Sequence, residues 1–328
     1  MTVSRHTPAR HSDTRKNTLL AIALVCIAYG LFNIGDAALK MLAGKYHFTQ
    51  IMVTNCVIII VCMVATTLFR KTRGAFKMQN TKLVLIRAGL SCMVSIMNIL
   101  ALPFIKLTTF YTLVFTSPFW VALLATVLLK EKMEGNRLAV ILAGFATTMF
   151  VFRPGGGLFD VHAVLILVGA FFYSCSLIAM RRLGPKESRA MIIIMGSLVS
   201  TAVAVVIAVL DPFLRQYVDI PYPAFYLTVP TPAEWGLFFL MGSLGAISVT
   251  CIAYAYQNAP SAAVIAPYHY TQIVWGTILG YVLFKEVPDD KTILGAALII
   301  AAGLYLLVTE ARRKPKIMEE VPESAAAT

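Results

Sequence analysis

Inside runs that are otherwise apolar, a few polar side chains recur at helical spacing. Tyr29, Asn33, Asp36 and Lys40 are separated by four, three and four residues, so a helix aligns them on one stripe. Arg87, Ser91, Ser95 and Asn98 form a second stripe. Pro267-Tyr268-His269-Tyr270-Thr271-Gln272 interrupts a third apolar run, and Trp275 follows one turn later. The amides of Asn33, Asn98 and Gln272 can both donate to and accept from a polar solute. The rings of Tyr29, Tyr173 and Trp275 offer stacking surface, able to hold a cation over a ring face. Asp36 and His269 are the residues for charge recognition or proton exchange, an imidazole pKa of about 6.5 suiting the latter. These eight residues make up the expected substrate site, with two choices open. Asp36 either pairs with Lys40 or lines a cavity, and His269 is either a proton carrier or a hydrogen-bonded core residue. Arg87, five residues from Lys82, reads as snorkelling to the water.

The surroundings say why such residues matter. Of the 328 residues 59% are hydrophobic and 13% charged, and the mean hydropathy is +0.78. Soluble domains carry about 25% charge, so a water-soluble enzyme, a secreted disulfide scaffold and a disordered chain are excluded. The net charge of +12 lies between apolar runs rather than on one face, which speaks against a nucleic-acid partner. Six cysteines fall inside apolar stretches without metal spacing, and Gly155-Gly156-Gly157 lacks the lysine of a phosphate loop. No cofactor, metal or catalytic residue is expected.

A hydrocarbon layer about 30 Å thick needs about 20 helical residues. On that length ten spans are expected, at 18–41, 48–69, 82–103, 107–129, 136–152, 161–180, 189–210, 233–254, 260–284 and 289–308. The fifth is short and the ninth long, so each calls for a tilt or a break. Residues 1–17 and 309–328 read as cytoplasmic tails, 153–160 as an external connection, and 211–232, rich in proline and aromatics, as an external loop along the interface or a lid. Over alternate connections and tails, twenty Lys and Arg fall on the side of the N-terminus against seven on the other. That bias puts both ends in the cytoplasm.

The chain also repeats itself. At an offset of 155, TSPFWVALLATVLLKE (116–131) aligns with TQIVWGTILGYVLFKE (271–286), sharing Trp120/Trp275, Lys130/Lys285 and Glu131/Glu286 among seven identities. The expected fold is an all-α polytopic membrane protein with ten transmembrane helices as two inverted five-helix repeats, 18–152 and 161–308. An odd number of spans per half inverts the second copy, an arrangement common in secondary transporters. The stretches 101–132 and 255–287 resemble the paired signatures of EamA-type members of the drug/metabolite transporter superfamily, with Pro118 in the helix, a terminal Glu in each copy, and Gly295 and Gly303 in the following helix. The resemblance implies ten helices and solute transport without ATP hydrolysis.

The expected function is secondary transport of a small polar or amphipathic metabolite across the inner membrane, as monomer or homodimer, with protons as a coupling ion if Asp36 or His269 titrates. The alternatives are an exporter of drugs or amino acids and, in another class, a lipid-modifying membrane enzyme.

Overall fold

The computed structural model describes residues 9–69, 76–131, 135–152, 161–214, 227–259 and 261–287, with isolated helical positions up to 305. Every regular element among them is helical. In chain order these are α1 (Ala9–Ala43), α2 (Phe48–Phe69), α3 (Thr81–Ala101), α4 (Leu107–Val114), α5 (Ser117–Leu129), α6 (Gly135–Phe152), α7 (Val161–Leu183), α8 (Arg189–Leu214), α9 (Pro232–Asn258), α10 (Ala262–Ile265) and α11 (Thr271–Phe284). Six stretches are long and apolar enough to cross a membrane: Thr18–Ala43, Phe48–Phe69, Thr81–Phe104, Val161–Leu183, Arg189–Phe213 and Pro232–Asn258. They coincide with the first, second, third, sixth, seventh and eighth expected spans.

The fourth and ninth expected spans are broken. Pro118 sits in the first turn of α5, and its missing N–H ends the ladder that would continue from α4. Thr116 closes the gap, its Oγ1 donating to Leu113 O at 3.0 Å. Pro267 acts likewise between α10 and α11, where Ala266–Tyr270 tighten into a 3-10 turn. The fifth span, expected to tilt or break, is one unbroken helix of 18 residues.

Three boundaries differ from expectation. Helical backbone begins at Ala9, inside the segment read as a tail. α8 continues to Leu214 with Pro212 inside it, so the loop expected from 211 starts later. The reason is Asp211, only 1% exposed, whose Oδ1 lies 3.5 Å from Nε2 of buried His47 and ties this helix end to the start of α2. The far end of that loop is also fastened: Gln50 Nε2 donates to Thr228 O at 2.6 Å and Gln50 Oε1 accepts from Thr228 N at 3.2 Å. Residues 215–226 of the loop, the connection 153–160, most of the tenth expected span and the tail 309–328 lie outside the described residues.

The bundle is built by α1 against α9, α2 against α8 and α9, and α3 against α7 and α8. At Gly242 of α9 an added Cβ would stand 2.5 Å from Cγ2 and 2.7 Å from Cβ of Ile58 on α2. The Ile58 Cβ is anchored to its backbone and cannot swing aside. Gly242→Ala is therefore expected to destabilise the protein by about 2 kcal/mol through overpacking, read as a lower melting temperature in detergent.

The two broken helices end alike. Lys130 (φ 54°) and Lys285 (φ 56°), 155 residues apart, are the only non-glycine residues with positive φ among those described. Glu131 N then donates to Ala125 O and Glu286 N to Gly280 O, closing each helix with a left-handed cap. Each glutamate crosses to the other half. Glu286 Oε2 accepts from Leu107 N at 2.9 Å, capping α4, while its Oε1 pairs with Lys40 Nζ at 2.6 Å. Glu131 Oε2 accepts from Ala262 N at 3.0 Å, capping α10, and its Oε1 pairs with Arg181 Nε at 3.2 Å.

Candidate functional site

Between the Glu286 clasp and the Glu131 clasp the bundle lines a cavity of about 250 Å³. α1 contributes Phe32, Gly35 and Asp36, α2 Asn55 and Cys56, and α3 its whole polar stripe of Arg87, Ser91, Ser95 and Asn98. α4 supplies Phe110 and Tyr111, α7 Tyr173 and Ser176, and α11 Gln272. Apolar walls with a few convergent polar groups are the usual build of a small-molecule site.

Several of these polar groups are left open. Nε of Arg87, Oδ1 of Asn55 and Oε1 of Gln272 are buried without a hydrogen-bond partner among the described residues. The Asn98 amide, at the edge of Gly169 (its Oδ1 3.5 Å from an added Cβ), likewise makes no side-chain bond to another described residue. Buried polar groups normally find partners, so three buried open ones, with the half-buried Asn98 amide beside them, mark a single space as built to receive polar matter. Asp36 is positioned by Tyr111, whose hydroxyl donates to Oδ2 at 2.9 Å.

The eight residues expected to bind substrate fall into two groups. Asp36, Asn98, Tyr173 and Gln272 line the cavity. Tyr29, Asn33, His269 and Trp275 do not. Asn33 is fully buried, and its Nδ2 donates to Gln272 O at 2.7 Å, in the first turn of α11. His269 is 1% exposed with both ring nitrogens engaged, Nδ1 3.2 Å from Ser117 Oγ and Nε2 3.1 Å from Tyr256 OH, and Tyr29 meets its ring edge-on at 4.5 Å. Tyr29 in turn accepts from Tyr173 OH at 3.4 Å. Trp275 is 41% exposed and lies across Gly30, where an added Cβ would stand 2.9 Å from its ring.

Two other expectations change. Asp36 and Lys40 are not a pair: Lys40 Nζ is held by Glu286 and by Ile105 O at 2.9 Å. Arg87 does not snorkel; it is 6% exposed and turns into the cavity wall. Tyr111 is the site residue that sequence reasoning passed over, since a lone tyrosine in an apolar span carries no spacing signal.

Comparison with known proteins fits this geometry. Residues 161–309 match the EamA-like transporter family. An S-adenosylmethionine uptake transporter of Rickettsia bellii is 26% identical over 209 residues, covering 64% of this chain and 66% of its own length. A pseudopaline exporter of Pseudomonas aeruginosa is 24% identical over 301 residues, covering 91% of this chain and 98% of its own. A crystal structure at 15% identity superposes over 90% of this chain and 98% of its own with a TM-score of 0.67, which is a likeness of fold. The chain is thus a multi-pass membrane transporter. Its second half carries an EamA-like transporter domain, and the relatives named above are transporters.

Proposed function

We propose that this protein moves a small polar metabolite through the central cavity by alternating access, without ATP and without a catalytic step. The observation that carries the reading is the cavity itself: open polar groups from α2, α3 and α11 line one space between two clasps. Two halves of five spans each, inverted about an in-plane axis, fit the paired left-handed caps and the reciprocal glutamates at an offset of 155. Alternation would then open the Lys40–Glu286 clasp and the Arg181–Glu131 clasp in turn. The charge bias of the connections supports an inner-membrane protein with both termini in the cytoplasm.

The test is counterflow in proteoliposomes with a labelled panel of amino acids, nucleosides, S-adenosylmethionine and cationic drugs. At least one solute should accumulate without nucleotide, and Asn98→Ala or Gln272→Ala should weaken it roughly tenfold, about 1.4 kcal/mol. No movement of any solute class would end the reading. Of the two titratable residues expected to exchange a proton, Asp36 faces the cavity beside Tyr111 and Tyr173, while His269 is closed in by its partners. Asp36→Asn should therefore abolish accumulation driven by a pH gradient. His269→Gln should leave that drive in place and lower the melting temperature instead.

A further inference from the structure

The cavity wall holds a guanidinium and a carboxylate, and neither has a charged partner among the described residues. Arg87 is placed by a notch in α8: at Gly196 an added Cβ would stand 3.2 Å from Nη1. Through this notch Nη1 donates to Ile192 O at 3.1 Å, while Nε, also buried, has no hydrogen-bond partner among the described residues. A guanidinium keeps its charge and offers five N–H groups in a planar fork. One bond to a neutral carbonyl leaves that charge uncompensated, which is costly in a site shielded from water unless an anion arrives. A carboxylate is the anion whose paired oxygens match the fork.

Asp36 is the other pole. It is steadied by the Tyr111 hydroxyl, and the cation one turn away, Lys40, is committed to Glu286 and Ile105 O. Asp36, Arg87 and Tyr173 line the same cavity, so the two charges address one space. Resting on the transport reading above, we propose that the cavity recognises a zwitterion, with Arg87 holding a carboxylate and Asp36 an ammonium or sulfonium group of the same solute. Uncharged or purely cationic compounds leave Arg87 without an anion and are disfavoured.

The experiment uses the full-length protein in liposomes and four probes: S-adenosylmethionine, its decarboxylated analogue, methionine, and methionine amide. On wild-type protein, phenylglyoxal modification of Arg87 is followed by mass spectrometry. A carboxylate-bearing probe should protect Arg87 at a concentration at least tenfold lower than its matched counterpart without the carboxylate. Arg87→Gln should erase the carboxylate preference in counterflow, and Arg87→Lys should restore part of it. Equal protection by both members of each pair, or protection by none, overturns the assignment. The wild-type measurement holds even if a variant fails to fold. Should a solute without a carboxylate be carried with an affinity indifferent to Arg87, the zwitterion falls and transport stands. Should no solute of the wider panel move, transport itself falls.

Discussion

Alanine at position 276 is expected to lower the unfolding free energy by about 3 kcal/mol, the upper end of the overpacking range, and to weaken solute binding tenfold or more. An added Cβ there would overlap the ring of Tyr111. That ring is 1% exposed and packs edge-on against Phe110 at 5.2 Å, so it can yield only into the cavity it lines, where it gives up its bond to Asp36. The same ring carries the hydroxyl that positions Asp36, and a hydrogen bond to a charged group contributes about 1.5–3 kcal/mol. The check is a double-mutant cycle by thermal unfolding. Combined with Tyr111→Leu, which vacates the ring, Gly276→Ala should cost far less than it does alone. Strict additivity would show that the glycine acts for another reason.

The second large effect lies at the clasps. Glu286→Gln removes the counter-charge of Lys40, whose side chain is 14% exposed, yet leaves an oxygen for the Leu107 amide. Breaking a buried ion pair costs about 3–5 kcal/mol; at this exposure about 2 kcal/mol is expected. The loss falls on the conformation in which that end is shut. Cys56 lines the cavity and reports access. Its alkylation by an impermeant maleimide added outside should rise several-fold in Glu286→Gln and stay unchanged in Glu131→Gln. Reagent added from the cytoplasmic side should reverse the pattern. Equal labelling of both variants from one side would separate the clasps from access.

Much of this was legible beforehand, and the exceptions share a cause. Span lengths follow from local apolar composition, so α2 ends where expected. The polar stripe of α3 was visible from spacing alone, and all four members face the cavity. What spacing cannot give is the partner. Asp36 and Lys40 stand one turn apart, but Lys40 goes to Glu286, 246 residues away. Arg87 has Lys82 and the water nearby, but the notch at Gly196 turns it inward to Ile192, 105 residues on. Trp275 aligns with Trp120, and only the small surface of Gly30 settles which way its ring lies. His269 drew attention as a buried titratable group; Ser117 and Tyr256, from two other helices, occupy both its nitrogens.

The crossing of the two glutamates also sets a timetable for biogenesis. The first amide of α4 obtains its acceptor from a residue made 179 positions later, and Lys40 obtains its counter-charge from that same residue. At about 5–20 residues per second the nascent chain waits roughly 10–35 s for it. The start of α10, by contrast, finds Glu131 already synthesised. The early helices thus enter the bilayer with a cation and a helix end still open, and a single late residue closes both. A ribosome that stalls anywhere between Leu107 and Glu286 leaves a charged, uncapped assembly in the lipid, a feature by which membrane quality control can tell an unfinished chain from a finished one.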